Sequence, residues 1–148
     1  MKIHVNINEP YLFETKSNIS FAIYWEHNNT FYPEKNWVDF GTVITGFWTN
    51  TIMELIEQNY KKSVFNFMDG PYRIQAQYDH LLKLVSLHPE RTDITWKISI
   101  DVIIRELISV IERIGVELEA KNKLNRYKDD LESLTPILNR CLSKVEKG

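Results

Sequence analysis

The sequence predicts an α+β fold: an antiparallel sheet of about five strands, one aromatic-rich helix inserted over about 37–59, and C-terminal helices over about 99–121 and 128–146 packed on it. Three observations predict it. Apolar residues alternate with period two in several stretches before residue 90. The period changes to 3.6 beyond about residue 99. Strand-like segments and helical segments are thus segregated along the chain, the mark of helices packed on one face of an antiparallel sheet. With 148 residues, the expectation is one domain spanning 1–148.

Each element has its own justification. In "KIHVNIN", Ile3, Val5 and Ile7 share one face and Lys2, His4 and Asn6 the other, which is a half-buried strand ended by Glu9-Pro10. "NISFAIYWEHN" repeats the alternation with Ile19, Phe21, Ile23 and Trp25 in phase, and the two strands are expected to pair as an antiparallel hairpin across a long loop. From Trp37, apolar residues recur at steps of three and four through Phe40, Val43, Ile44, Phe47, Trp48, Ile52 and Leu55. That spacing predicts a helix, with Asn36 as N-cap and Asp39 in the first turn, where an acid complements the helix dipole. Its β-branched residues and two glycines are poor helix formers, so burial must hold it. Gly41 and Gly46 are read as places where another element approaches closely.

"SVFNFM" and "YRIQAQY" flank Asp69-Gly70-Pro71 and read as a hairpin, with Tyr72, Ile74, Ala76 and Tyr78 inward. "LLKLVSLHP" reads as another strand closed by Pro89. Whether Trp96 ends a strand or begins the next helix is open. The stripe Ile103, Leu107, Val110, Ile111, Ile114 and Leu118 defines that helix, with Ser99 as cap and Asp101 in its first turn. A last stripe of Leu131, Leu134, Leu138, Cys141, Leu142 and Val145 forms one bent helix or two short ones, with Thr135-Pro136 read as N-cap and first-turn proline.

Composition narrows the function classes. Apolar residues at 43% and aromatics at 12% suit a folded globular protein rather than a disordered one. A net charge of −2 gives no global pull toward nucleic acid or an anionic membrane. The charge is uneven: residues 1–60 hold three Lys/Arg against seven Asp/Glu, and residues 61–148 hold fifteen against thirteen. The single cysteine, Cys141, excludes an internal disulfide, and its place on an apolar stripe marks a buried small hydrophobe. The N-terminus lacks a long apolar core, so no signal peptide and a cytoplasmic location are expected.

No motif carries catalytic spacing. Asp69-Gly70-Pro71 has one glycine before a strand, not the several glycines before a helix that cradle a phosphate, and it reads as a turn. The four histidines lack metal-ligand spacing. The expectation is a non-enzymatic protein with no catalytic, cofactor-binding or metal-ligating residues and no nucleic-acid partner. The segment "WEHNNTFYPEKNWVDF" mixes aromatics with acids in a predicted loop, a composition that protein interfaces use. The expected partner-binding residues are Glu14, Glu26, Glu34 and Asp39, with Phe31 and Tyr32 as aromatic anchors.

The stretches "YPEKNWVDFGTVITGFW" and "FNFMDGPYRIQ" resemble a group of small proteins of Gram-positive bacteria. These share a Pro-x-x-x-Trp-x-Asp-Phe entry to an aromatic helix ending in Trp, then a Phe-Met-Asp-Gly-Pro-Tyr hairpin. Here those elements are Pro33, Trp37, Asp39, Phe40, Trp48, Phe67, Met68, Asp69, Gly70, Pro71 and Tyr72. Many members look like immunity partners of polymorphic or contact-dependent toxins. The resemblance implies a cognate toxin domain as partner and stoichiometric occlusion as mechanism. It transfers no active site, because the shared residues look like fold residues. Two other classes stay open. One is a self-associating module that dimerises through its C-terminal helices. The other is a small enzyme or ligand-binding domain, which would need polar groups such as Asp79 and His80 to converge with a further carboxylate in a cleft.

Overall fold

The computed structural model describes residues 1–147. The fold is α+β, with antiparallel strands arranged in two sheets rather than the single sheet expected. The first sheet is built around β3 (Ile19–His27), which pairs with β1 (Lys2–Asn6), β2 (Phe13–Glu14), β4 (Thr30–Tyr32) and β5 (Val38–Asp39). The expected pairing of the first two long strands is present, in the register Ile3↔Trp25 and Val5↔Ile23. The second sheet runs β6 (Lys62–Asn66), β7 (Arg73–Asp79), β8 (Leu84–Pro89), β9 (Trp96–Ser99) in that spatial order. In β7 the alternation is complete, with Ile74, Ala76 and Tyr78 buried and Arg73, Gln75 and Gln77 exposed.

Helix α1 spans Gly41–Ile56, so the expected start near Trp37 is corrected. Val38 and Asp39 instead pair with Ala22 and Phe21, and Ile23 N–H donates to the Trp37 carbonyl at 2.7 Å. The open side of β3 captures this segment as strand before the helix begins. Asn36 is correspondingly no N-cap but a turn residue at φ +64°. Gly41 lies where expected for a close approach, because a Cβ there would fall inside the Phe21 ring, whereas Gly46 faces open space. The buried threonines of α1 satisfy their hydroxyls on the preceding turn, Thr45 on Gly41 O at 2.9 Å and Thr49 on Thr45 O at 2.8 Å.

Helix α2 (Ile100–Ala120) follows β9 directly, so Trp96 begins a strand. Ser99 precedes α2 but makes no side-chain cap bond. The tail forms two helices, α3 (Lys128–Glu132) and α4 (Leu134–Lys147). Because α4 starts at Leu134, Thr135 is not its N-cap, while Pro136 stays within the first turn, where a missing N–H costs no bond.

One hydrophobic core joins both sheets and the helices. Trp25 and Trp48 meet edge to face at 5.4 Å at its centre, and both are fully buried. Helix α4 packs against α1 and α2. Leu138, Cys141 and Val145 of α4 and Leu131 of α3 are buried within the chain, while Leu134 and Leu142 of the same stripe are half-buried.

Candidate protein-binding surfaces

The two motif stretches come together as one joint between the sheets. Asp39, 1% exposed at the end of β5, accepts hydrogen bonds from Trp37 Nε1 at 2.9 Å and from Phe40 N at 2.7 Å. The same carboxylate accepts the backbone N–H groups of Met68 and Asp69, each at 3.2 Å. The Trp37 ring stands against Tyr72 at 4.9 Å, and Gly70 beneath them takes φ +109°, a conformation that favours glycine. Asp69-Gly70-Pro71 is a turn held from below by Asp39.

The edge of the second sheet is closed from the same side. Strand β6 has a neighbour only in β7. On its free side Thr51 Oγ1 donates to Val64 O at 2.7 Å and Trp48 Nε1 to Asn66 O at 2.8 Å. With Asp39 accepting from Met68, side chains meet the outward backbone at every second residue, which blunts an edge that could otherwise recruit strands.

The expected acidic surface is not continuous, and its residues separate. Asp39 is interior, and so is Tyr32, 2% exposed, which corrects both as surface contacts. The Tyr32 phenol bonds the backbone of Arg73, and burial raises its pKa. Glu14 is exposed but engaged by Lys123 at 2.7 Å and by the Tyr127 hydroxyl at 3.2 Å, with Arg126 beside it. The Lys123 hydrogen bond, chiefly, lowers the Glu14 pKa. Glu57 is bound by Arg140 and Lys144, again from the C-terminal helices. Two acids of the N-terminal half, Glu14 and Glu57, are therefore matched by cations of the C-terminal half at the surface.

Glu26, Phe31 and Glu34 remain at the surface. Glu26 shares a sheet face with Lys2, His4, Tyr24 and Phe31, and its carboxylate lies 2.6 Å from His4 Nε2. His4 stacks on Tyr24 at 5.0 Å, and Lys35 Nζ stands 5.8 Å from the Phe31 ring centre. This face is aromatic and mixed in charge rather than acidic.

An open concavity of about 900 Å³ lies at the β6–β7 turn. Its lining includes Phe47, Met68, Pro71 and Tyr72, with Arg73 and Arg91 among its charges. Phe47 on α1 is 41% exposed and Met68 in the β6–β7 turn 51% exposed. Arg73 and Gln75 both bond Glu90, and the Gln75 hydrogen bond is the first cause of its lowered pKa. Helical spacing places Phe47 among the core positions of its helix, and its position at the margin of the buried stripe is the signal that it faces out.

The opposite end of the second sheet carries a second apolar exposure. Leu81 and Leu82, expected to begin a strand, instead sit in the β7–β8 turn at 90% and 64% exposure. Their N–H groups both donate to Asp79 Oδ1 at 2.9 Å, so the aspartate serves the turn. His80 packs on Tyr78 at 4.4 Å, and no carboxylate from elsewhere joins Asp79 and His80. Among the described residues, no group of three or more His, Cys, Asp or Glu could hold a metal ion, and no helix is long and apolar enough to cross a membrane. No protein-family model, curated protein or solved structure matches this chain.

Proposed function

We propose that this protein is a non-enzymatic cytoplasmic binding module that neutralises a toxin domain by covering it stoichiometrically, as the motif resemblance implies. The observation that carries the reading is the concavity at the β6–β7 turn. Covering a large apolar side chain is worth about 1.5–3 kcal/mol, and here Phe47 and Met68 stand exposed beside Tyr72 and two arginines. Aromatic and arginine side chains around an apolar centre are the usual anchors of protein interfaces. The rigid turn beneath them holds these groups in place before binding, which lowers the ordering cost of association.

The test is calorimetric titration against the C-terminal domain of an exported protein encoded beside this one, with toxicity scored in parallel. One-to-one binding with loss of toxicity is the expected result. Phe47→Glu and Met68→Glu, both at exposed positions, should each weaken binding by about tenfold or more. Unchanged affinity in both, with a loss in Leu81→Glu, moves the surface to the other end of the sheet. No binding by the wild-type chain overturns the reading.

A further inference from the structure

Strand β1 is an edge of a different kind from β6. It pairs with β3 on one side only. Ile23 N–H points away from β1, toward the Trp37 carbonyl. Its antiparallel partner Val5 therefore belongs to a non-hydrogen-bonded pair, and the Val5 N–H and C=O also point outward. Ile3, two residues away, faces the same side, and its carbonyl accepts from Arg113 Nη2 at 2.9 Å. The Val5 backbone has no hydrogen-bond partner among the described residues.

A groove of about 610 Å³ follows this edge, between β1 and the outer side of α2. That volume lies within the range of about 300–1,000 Å³ typical of ligand clefts. Its helical wall carries Glu112, Val116 and Glu117. Val116 is 69% exposed, and among the described residues the ion pair on this wall is Arg113–Glu106 at 2.9 Å, with neither Glu112 nor Glu117 partnered. Arg113, on the same wall, has a buried Nε without an acceptor.

We propose that β1 is a strand-addition site that takes an extended, basic segment of a partner protein as a sixth strand of the first sheet. Strand addition draws affinity from main-chain hydrogen bonds and specificity from alternate side chains. The incoming backbone would accept from Val5 N–H and donate to Val5 C=O. An apolar side chain of the segment would cover Val116, and a lysine or arginine would meet Glu112 or Glu117. The partner is chosen by charge: Arg113 is matched by Glu106 at 2.9 Å, which leaves Glu112 and Glu117 to favour a basic segment over an acidic one. A second copy of β1 would bring only Lys2, its His4 being held by its own Glu26. The groove lies away from the β6–β7 concavity, and the inference holds whether or not that concavity binds a toxin.

The probe is a capped Lys-Thr-Val-Thr-Lys peptide, whose valine and lysines share one face, titrated into the isotope-labelled full chain while backbone amide shifts are read. Saturable shifts confined to β1 and the Ser109–Glu117 face of α2 are expected. N-methylation of the central residue, which removes one backbone donor, should weaken binding about tenfold. So should the glutamate-flanked peptide and the surface double variant Glu112→Lys/Glu117→Lys. Because N-methylation leaves the protein untouched, misfolding cannot imitate its effect. Absence of saturable shifts at β1, or equal binding of the N-methylated peptide, overturns the proposal. So does a doubled mass of the protein alone by light scattering with the Val5 amide protected, which would assign the edge to a second copy.

Discussion

Tyr32 Oη donates to the Arg73 carbonyl at 2.9 Å and accepts from the Arg73 N–H at 3.0 Å. One hydroxyl from the first sheet thus does for Arg73 what a neighbouring strand residue would do. Tyr32→Phe keeps the ring and strands the Arg73 N–H, while the Arg73 carbonyl keeps the Glu90 N–H at 2.9 Å. The expected loss is about 1–2 kcal/mol, read as a lower urea midpoint with an unchanged slope. A loss below about 0.5 kcal/mol would mean that solvent replaces the hydroxyl in full.

Asp39 is expected to matter more, because its buried carboxylate serves four N–H donors. Asp39→Ala strands all of them and should cost about 3 kcal/mol or more. Asp39→Asn retains an acceptor oxygen and should cost less. Equal costs in denaturant titration would show that the charge, rather than the acceptor count, holds the turn.

The two glycines of α1 should respond with opposite signs. Gly41→Ala drives a methyl into the Phe21 ring and should destabilise by about 1–3 kcal/mol. Gly46→Ala meets nothing and should stabilise by about 0.5–1 kcal/mol through helix propensity. Thermal melts of the two variants side by side check both signs.

Glu57 supplies an acid-sensitive tie. Hydrogen bonds from Arg140, then Lys144, lower its pKa from 4.5 to about 2. A depressed carboxylate contributes stability that is present above its unfolded pKa and is lost as pH falls through the folded value. Its contribution should therefore fade between about pH 4.5 and 2. Glu57→Gln should flatten that limb of the stability profile, and salt should weaken the wild-type effect, since both cationic partners are half exposed. An unchanged acid limb in the variant would discount the tie.

Cys141 is buried, and burial raises its thiol pKa to about 11. Since the thiolate is the reactive form, the native chain should label with a disulfide reagent only as fast as it opens. Labelling rates that rise with urea in step with unfolding are expected. Rapid labelling without urea would show α4 opening locally.

Local periodicity made the α+β class legible. The alternation in "KIHVNIN" and "YRIQAQY" and the stripe from Ile103 to Leu118 each report burial within one element. The division into two sheets was hidden because it depends on partners far apart in sequence: Asp39 and Met68 are 29 positions apart, and Tyr32 and Arg73 are 41. Trp37 and Phe40 satisfy helical spacing, yet β3 recruits the residues between them. The binding surface was the least legible part. Met68-Asp69-Gly70-Pro71 was readable as a turn, but its concavity exists only once β6, α1 and the β8–β9 loop meet. Counting acids in the first 60 residues likewise could not reveal which cations would reach them.

The charge exchange between the halves has a consequence for synthesis. Lys123 follows Glu14 by 109 positions, and Arg140 follows Glu57 by 83. Chains fold roughly as they emerge, amino end first. The first sheet and α1 would leave the ribosome with uncompensated acids and an apolar helix face waiting for α4. Helix α4, made well after the acids and apolar face it covers, is therefore a latch, and a chain stalled before Leu134 would be a client for chaperones and proteases rather than a smaller working copy of the fold.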